Sequence, residues 1–285
     1  MCYTIFMQEK SSVFTEYPRP QLRRESFFNL NGKWLANESE IIVPFPPESK
    51  ASEYNGKLCA TYEYKKDFEL PDDFVAALKN QNQKNRVILH FGAVDQKATV
   101  FVNDIFVGSH LGGYLPFSFD ITDYLENYSE KQKITLVAKD NLNHFFPYGK
   151  QKKNRGGMWY TPVSGIWQTV WLEPVGKKHI ADLRILPDID RNVLSVDAKV
   201  VGGCCDDMVE VNVYDGDKLV AVGKSINHEP VEVAMPADRK LWSPDSPFLY
   251  TLKVNLKNAG KVVDKVDSYA AMRKYSYKRA EDGIV

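Results

Sequence analysis

The amino-acid sequence predicts an all-β protein built from two successive sandwich domains. Apolar and charged residues alternate over Thr61–Phe68, which places Tyr62 and Tyr64 on one face, as expected of a half-buried strand. Turn residues such as Asn103-Asp104 separate short apolar runs of this kind, and aromatic residues, which pack well on pleated sheets, form 12% of the chain. Helical periodicity is nearly missing, and 285 residues are enough for two hydrophobic cores.

Residues 1–175 are predicted as the first domain, a series of strands joined by turns and two long loops. Asn103 and Asp104 both tolerate positive φ, so a two-residue hairpin should pair Val102 with Ile105. Further elements are expected at the turn Asn31-Gly32, in strands Thr61–Phe68, Ile134–Lys139 and Ile166–Glu173, in a helix Asp72–Leu78, and in loops Val43–Ser49 and Asn141–Thr161.

Residues 178–277, which follow a linker at Pro174–Lys178, are predicted as an immunoglobulin-like sandwich. About seven short strands in about a hundred residues are typical of that fold, although the paired cysteines around a tryptophan that mark antibody domains are absent. The expected strands are Ile180–Leu186, Val193–Val201, Met208–Tyr214, Leu219–Lys224, Val231–Ala234, Leu249–Leu256 and Lys261–Asp267.

Aromatic residues inside the strands of the first domain are expected to lie in its core. They are Phe101, Phe106, Phe117, Phe119 and Trp171.

Charge and cysteine usage narrow the class of protein. Lys+Arg and Asp+Glu both number 37, so the chain lacks the basic surplus typical of proteins that bind nucleic acid or anionic membranes. The first twelve residues have no basic n-region and no long apolar core, and no apolar run approaches the ~20 residues that span a bilayer. Cys2, Cys59, Cys204 and Cys205 lack metal-ligand spacing and are expected to be reduced thiols of a cytoplasmic protein.

Known catalytic signatures are missing from the sequence. The five histidines have no metal-ligand spacing, and no Gly-x-Ser-x-Gly, P-loop or dinucleotide fingerprint is present, so neither a metal nor a cofactor is expected. Ser164 has no matched partner that would indicate a serine hydrolase. His90 is interpreted as a core histidine, and His110 is expected to hold the glycine-rich loop by hydrogen bonds.

Several motifs, in order, resemble glycoside hydrolase family 2, which includes β-galactosidases, β-glucuronidases and β-mannosidases. They are Tyr17-Pro18-Arg19-Pro20-Gln21, Leu30-Asn31-Gly32-Lys33-Trp34, Phe91-Gly92-Ala93-Val94-Asp95, Gly108-Ser109-His110-Leu111-Gly112-Gly113-Tyr114, Gly165-Ile166-Trp167-Gln168-Thr169-Val170-Trp171-Leu172-Glu173 and Leu241-Trp242-Ser243-Pro244-Asp245-Ser246-Pro247-Phe248-Leu249-Tyr250. The resemblance covers residues 17–275. It implies a galactose-binding-like jelly roll over 1–175, an immunoglobulin-like sandwich over 178–277, and the start of a linker to a catalytic barrel over 278–285.

The sequence departs from the family pattern at two places, one in the long loop and one at the end of the second domain. Gly157 stands where some β-galactosidases have an aspartate two residues before the tryptophan, here Trp159, and Ala270-Ala271 replaces the usual Phe-Gly. The family carries its two catalytic glutamates on the barrel, the acid/base directly after an asparagine. Asn37-Glu38 is the one Asn-Glu dipeptide in the sequence, and we interpret it as surface.

The loop Asn141–Thr161 is the strongest candidate for sugar binding. Aromatic faces pack against sugar C–H surfaces and planar polar groups bind hydroxyls, and the loop has both types of side chain: Phe146, Tyr148, Lys150, Gln151, Arg155, Trp159 and Tyr160. Glu48 in the proline-rich loop is a second candidate. The alternatives are that the long loop only packs on the barrel, and that Glu48 pairs with a cation across a domain interface.

The resemblance implies the non-catalytic N-terminal portion of a retaining β-glycosidase that acts on terminal β-linked sugars. Its partners would be a β-linked glycoside and its own catalytic barrel, with a homo-oligomer as a further arrangement, and neither nucleic acid nor membrane. Two other classes remain open from the sequence: a stand-alone carbohydrate-binding module, and a structural domain pair that docks another protein.

Overall fold

A computed structural model describes residues 13–80, 85–154, 156–226, 229–277, 279–280 and 283–284. The chain divides into two compact units: the first comprises Met1–Pro18 and Ser26–Pro174, and the second comprises Arg19–Glu25 and Val175–Val285. Nearly all regular structure in both units is β-strand, which confirms the predicted fold class.

The first unit is a sandwich of a four-stranded and a six-stranded sheet with one helix, α1 (Asp72–Lys79). The sheets have the orders β1-β12-β5-β9 and β3-β2-β4-β10-β7-β8, and β6 pairs with β11 beside them. The strands are β1 (Phe28–Asn29), β2 (Gly32–Ala36), β3 (Ser39–Val43), β4 (Thr61–Phe68), β5 (Arg86–Phe91), β6 (Val94–Asp95), β7 (Lys97–Val102), β8 (Ile105–Leu111), β9 (Phe117–Asp120), β10 (Gln132–Lys139), β11 (Gly165–Ile166) and β12 (Val170–Val175).

Alternation of side chains builds the core of this unit. Every second residue of β10 from Gln132 to Ala138 is buried, and Tyr62 and Tyr64 of β4 point into the same core. Burying one large apolar side chain contributes roughly 1.5–3 kcal/mol, so the paired strands are stabilised mainly by this shared face. Phe106 departs from the prediction, because it lies on the edge strand β8 and remains 55% exposed.

The hairpin predicted at Asn103-Asp104 is confirmed. Both residues have positive φ, 49° and 64°, and Val102 pairs with Ile105 across the turn. The Asn103 side chain also donates to the Tyr124 carbonyl oxygen at 3.0 Å, which fixes the turn to the next loop. The Asn37-Glu38 turn has the same conformation and both side chains are exposed, as predicted for that dipeptide.

The expectation of one continuous strand over Ile166–Glu173 is wrong. The chain forms β11, leaves the strand at Trp167–Thr169, and re-enters the four-stranded sheet as β12. Gly165 begins this path with φ of 74°, and a Cβ there would lie 2.1 Å from the Tyr64 hydroxyl. At Gly165 the backbone therefore approaches a buried tyrosine, a contact that strand periodicity does not reveal.

The role predicted for His110 also needs correction. Its ring stacks on Phe117 with a centroid distance of 4.3 Å, and among the described residues its buried Nε2 has no hydrogen-bond partner. Packing, rather than a hydrogen bond from Nε2, therefore positions this histidine beside the glycine-rich loop. His90 is a core residue as predicted, stacked on Trp171 and 3.3 Å from a Glu173 carboxylate oxygen.

The second unit is a sandwich of a three-stranded sheet, β13-β14-β17, and a four-stranded sheet, β16-β15-β18-β19. All seven predicted strands are found within a few residues of their expected bounds. They are β13 (His179–Asp188), β14 (Val193–Val201), β15 (Asp207–Asp215), β16 (Lys218–Ile226), β17 (Val231–Ala234), β18 (Tyr250–Asn258) and β19 (Lys261–Ala270), and a short pair, β20 (Arg279–Ala280) and β21 (Gly283–Ile284), follows.

The segment Arg19–Glu25 is built into the second unit although it precedes the first unit's strands. Leu22 enters the core, Arg23 forms a bridge with Asp267 of β19, and Arg24 pairs with Asp264 at 2.6 Å. The Asp264 carboxylate also accepts the Ile180 amide at 2.7 Å, so this buried pair connects three segments of the unit.

The described cysteines and helices bear on disulfide bonding and on membrane insertion. Cys59, Cys204 and Cys205 are free and exposed, while Cys2 lies outside the described residues. Among the helices of the described ranges, none has the length and apolar character needed to cross a membrane.

Candidate functional site

A cavity of about 350 Å³ lies at one end of the first unit. The loop after β3, the segment before β4 and the chain from the end of β10 through the long loop to β11 all contribute residues to it. Its polar lining consists of Glu48, Cys59, Asp140, Lys153, Thr161 and Ser164. Small-molecule sites commonly have volumes of about 300–1,000 Å³, so the cavity suits one small ligand unit.

Glu48 and Ser164 form the central contact of the cavity wall. The Ser164 hydroxyl donates to Glu48 Oε1 at 2.5 Å, and the Ser164 amide donates to Oε2 at 3.2 Å. Burial raises the pKa of Glu48, and the hydrogen bonds from Ser164 partly offset that effect. Glu48 is therefore a hydrogen-bond partner of Ser164, which the sequence did not reveal. Glu48 thus accepts hydrogen bonds from a hydroxyl and an amide of its own unit.

Asp95 is a residue of this region that our sequence reasoning missed as a site residue. It ends β6, is 5% exposed, and pairs in register with Gly165, the neighbour of Ser164. Burial raises its pKa to about 7, and the negative charges of Asp140 and Glu48 add to the shift. The sequence signal that could have identified Asp95 is its position directly after the apolar pair Ala93-Val94 in a strand. A carboxyl buried there costs free energy, so such a residue is a candidate for a functional role.

Backbone packing brings the glycine-rich loop close to Asp95. A Cβ on Gly113 would lie 2.6 Å from Asp95 Oδ1, so only glycine fits at this approach. The Trp167 indole donates to the Gly113 carbonyl oxygen at 2.8 Å, and the Gln96 side chain donates to the Pro147 carbonyl oxygen at 3.2 Å. The Asp95-Gln96 peptide bond is cis. The loops that surround Asp95 are thus held by side-chain hydrogen bonds to backbone carbonyl oxygens.

Most residues predicted in the long loop do not line the cavity. Gln151 accepts the Val163 amide at 2.6 Å, Tyr148 stacks on His144, and Lys150 is exposed. Trp159 is 37% exposed beneath the Lys152 ammonium, 5.5 Å from the ring centroid. Phe146 is half-buried and Tyr160 is 66% exposed. Arg155 lies outside the described residues, so Glu48 is the predicted site residue that the cavity includes.

The cavity presents mainly hydrogen-bond acceptors, the carboxyl groups of Glu48 and Asp140, on partly buried walls. Carboxylates accept hydrogen bonds from hydroxyl and amino groups, and threonine and serine hydroxyls both donate and accept. No group of three or more histidine, cysteine or acidic side chains among the described residues has the arrangement to hold a metal ion.

Two β-sandwiches in series, with a small loop-lined cavity in the first, define the class of multidomain β-sandwich proteins. The profile of the galactose-binding-like domain of glycosyl hydrolase family 2 matches residues 48–165, and that of glycosyl hydrolases family 2 matches residues 178–273. The chain belongs to glycosyl hydrolase family 2, as its motifs indicated.

Similar proteins include enzymes named for two different sugars. A beta-galactosidase of Thermoanaerobacter pseudethanolicus is 27% identical over 230 residues, which cover 77% of this chain and 29% of that protein. A beta-glucuronidase of Formosa agariphila is 24% identical over 244 residues, which cover 76% of this chain and 24% of that protein. The chain thus spans about a quarter of the length of these curated relatives.

A solved structure supports the fold. The β-glucuronidase of Ruminococcus gnavus in complex with D-glucaro 1,5-lactone matches with a TM-score of 0.70 at 18% identity, over 90% of this chain and 47% of that chain. At this identity the likeness establishes the architecture of the two sandwiches.

Proposed function

We propose that this chain is the non-catalytic N-terminal portion of a retaining family 2 β-glycosidase that acts on terminal β-linked sugars. The observation that carries the proposal is the order of the two family profiles along a chain that spans about a quarter of its relatives. In this proposal, the first unit shapes the entrance to a catalytic barrel and the cavity contributes to sugar recognition.

The arrangement of the described carboxyl groups supports a non-catalytic role. Retaining hydrolysis needs two carboxyl groups about 5–5.5 Å apart that both reach the glycosidic bond, one as nucleophile and one as acid/base. Glu48 is bound by the hydroxyl and amide of Ser164, and Asp95 is buried close to Gly113. Glu38 of the Asn-Glu dipeptide is exposed and paired with Lys65 at 2.7 Å. Each of these groups is committed to a structural contact.

The coding region beyond the codon for Val285 tests the proposal. We expect an in-frame continuation whose product hydrolyses an aryl β-galactoside or an aryl β-glucuronide, with the β-anomer as first product by proton NMR. A longer product that cleaves neither substrate, or that releases the α-anomer first, would contradict the proposal.

A further inference from the structure

We propose that the cavity at Glu48 is a subsite for a neutral or amino sugar unit and that it rejects uronates. This inference rests on the proposed function and extends it to the class of sugar. The names of the relatives do not decide this class, because they include both β-galactosidases and β-glucuronidases.

The size and the walls of the cavity suit a single sugar ring. Its volume of about 350 Å³ is at the small end of the range for small-molecule sites, about 300–1,000 Å³. Leu58, Ala60, Leu142 and Pro162 form an apolar wall against which C–H groups can pack.

The charges of the cavity decide which sugars fit. Glu48 and Asp140 line it, and Asp95 interacts electrostatically with both of them. Asp140 Oδ1 accepts the Leu142 amide at 2.7 Å, and a carboxylate has further lone pairs for ligand hydroxyl or amino groups. At pH 8, above the Asp95 pKa of about 7, a ligand carboxylate would instead add a fourth negative charge to this group, which is repulsive.

The cations needed to bind a uronate are scarce in the cavity. Carboxylates are recognised by closely placed arginine or lysine side chains, most strongly by a bidentate arginine. Of the described residues that line the cavity, Lys153 alone carries a positive charge, and it is exposed. One solvated ammonium does not offset three nearby carboxyl groups.

Titration of the purified chain with three methyl glycosides tests this inference. The probes are methyl β-D-galactopyranoside, its 2-amino-2-deoxy analogue and methyl β-D-glucuronide, with binding followed by calorimetry at pH 8 and low salt. We expect the two probes without a carboxylate to bind, the amino sugar more tightly, and the glucuronide to bind at least about tenfold more weakly than the galactoside. Added salt should reduce these differences because it screens charge.

Two charge-reversal variants distinguish the effect of charge inside the cavity from the effect of the net charge of the chain. Lys153→Glu should tighten binding of the amino sugar about threefold. Lys218→Glu, at an exposed position of β16 in the second unit, makes the same change of net charge and should leave binding unaltered. Asp140→Asn should weaken the amino sugar and reduce the discrimination against the glucuronide.

Three outcomes would overturn the inference: equal or tighter binding of the glucuronide, binding of none of the probes, or equal effects of the two charge reversals. These outcomes are separate from failure of the proposed function, which is measured by hydrolysis with the longer gene product. A β-glycosidase whose N-terminal chain binds glucuronide would retain the proposed function and refute the inference.

Discussion

The Glu48 carboxylate accepts hydrogen bonds from both the hydroxyl and the amide of Ser164, with Oε1 2.5 Å from Oγ. The two residues are 116 positions apart, one in the loop after β3 and the other immediately before β11. This contact connects two walls of the cavity, so it links the stability of the first unit to the geometry of the candidate site.

Replacing Ser164 by alanine should remove this connection. We expect Ser164→Ala to lower the free energy of unfolding by about 1–3 kcal/mol, because a partly buried carboxylate loses a donor. The loss should be larger at pH 8 than at pH 4, where Glu48 is protonated to a greater extent. Urea unfolding measures both values. Ser109→Ala, at an exposed position of β8, is the control and should change stability by less than about 0.5 kcal/mol.

Asp95 should make the chain less stable as pH rises. Burial, with Asp140 and Glu48, raises its pKa from 3.8 to about 7, so the folded chain favours the protonated carboxyl. Its contribution to stability is therefore complete below pH 3.8 and is lost as pH rises through about 7. Asp95→Asn cannot ionise, so its stability relative to the unsubstituted chain should increase by about 2 kcal/mol between pH 5 and pH 8.

Urea midpoints at several pH values provide this comparison. Asp104→Asn is a suitable control, since Asp104 is exposed in a turn with positive φ that asparagine also tolerates. A difference between Asp95→Asn and the unsubstituted chain that stays constant from pH 5 to pH 8 would show that Asp95 does not titrate in this range.

The pair Arg24–Asp264 should be a main stabilising contact of the second unit. Its side chains are 7% and 8% exposed, and removal of one partner leaves a buried charge uncompensated. We expect Arg24→Met to cost about 3–5 kcal/mol in the free energy of unfolding. Arg191→Met breaks the exposed pair with Glu232 and should lower the free energy of unfolding much less than Arg24→Met does. Similar costs for the two variants would contradict this assignment.

Local chemistry accounts for the parts of the fold that the sequence predicts well. The hairpin at Asn103-Asp104 depends on two residues that tolerate positive φ, and β4 depends on alternation within eight residues. Both signals are contained in a short stretch of chain. The seven strands of the second unit were predictable for the same reason.

Features that depend on distant contacts were not predictable in this way. The close approach of Tyr64 to Gly165 in β11 and the Glu48–Ser164 contact both join residues far apart in sequence. The segment Arg19–Glu25 belongs to the second unit through contacts with strands more than a hundred residues later. At the candidate site, the aromatic residues predicted in the long loop do not line the cavity, and Glu48 is the one described residue of the predicted set that does.

We propose that this chain contributes to a β-glycosidase without performing the hydrolysis. The most direct measurement is release of 4-nitrophenol from 4-nitrophenyl β-D-galactoside and β-D-glucuronide by the purified 285-residue chain. We predict a rate equal to that of buffer for both substrates. Turnover above buffer that is lost in Glu48→Gln or Asp95→Asn would contradict the account and place catalytic carboxyl groups within these two units.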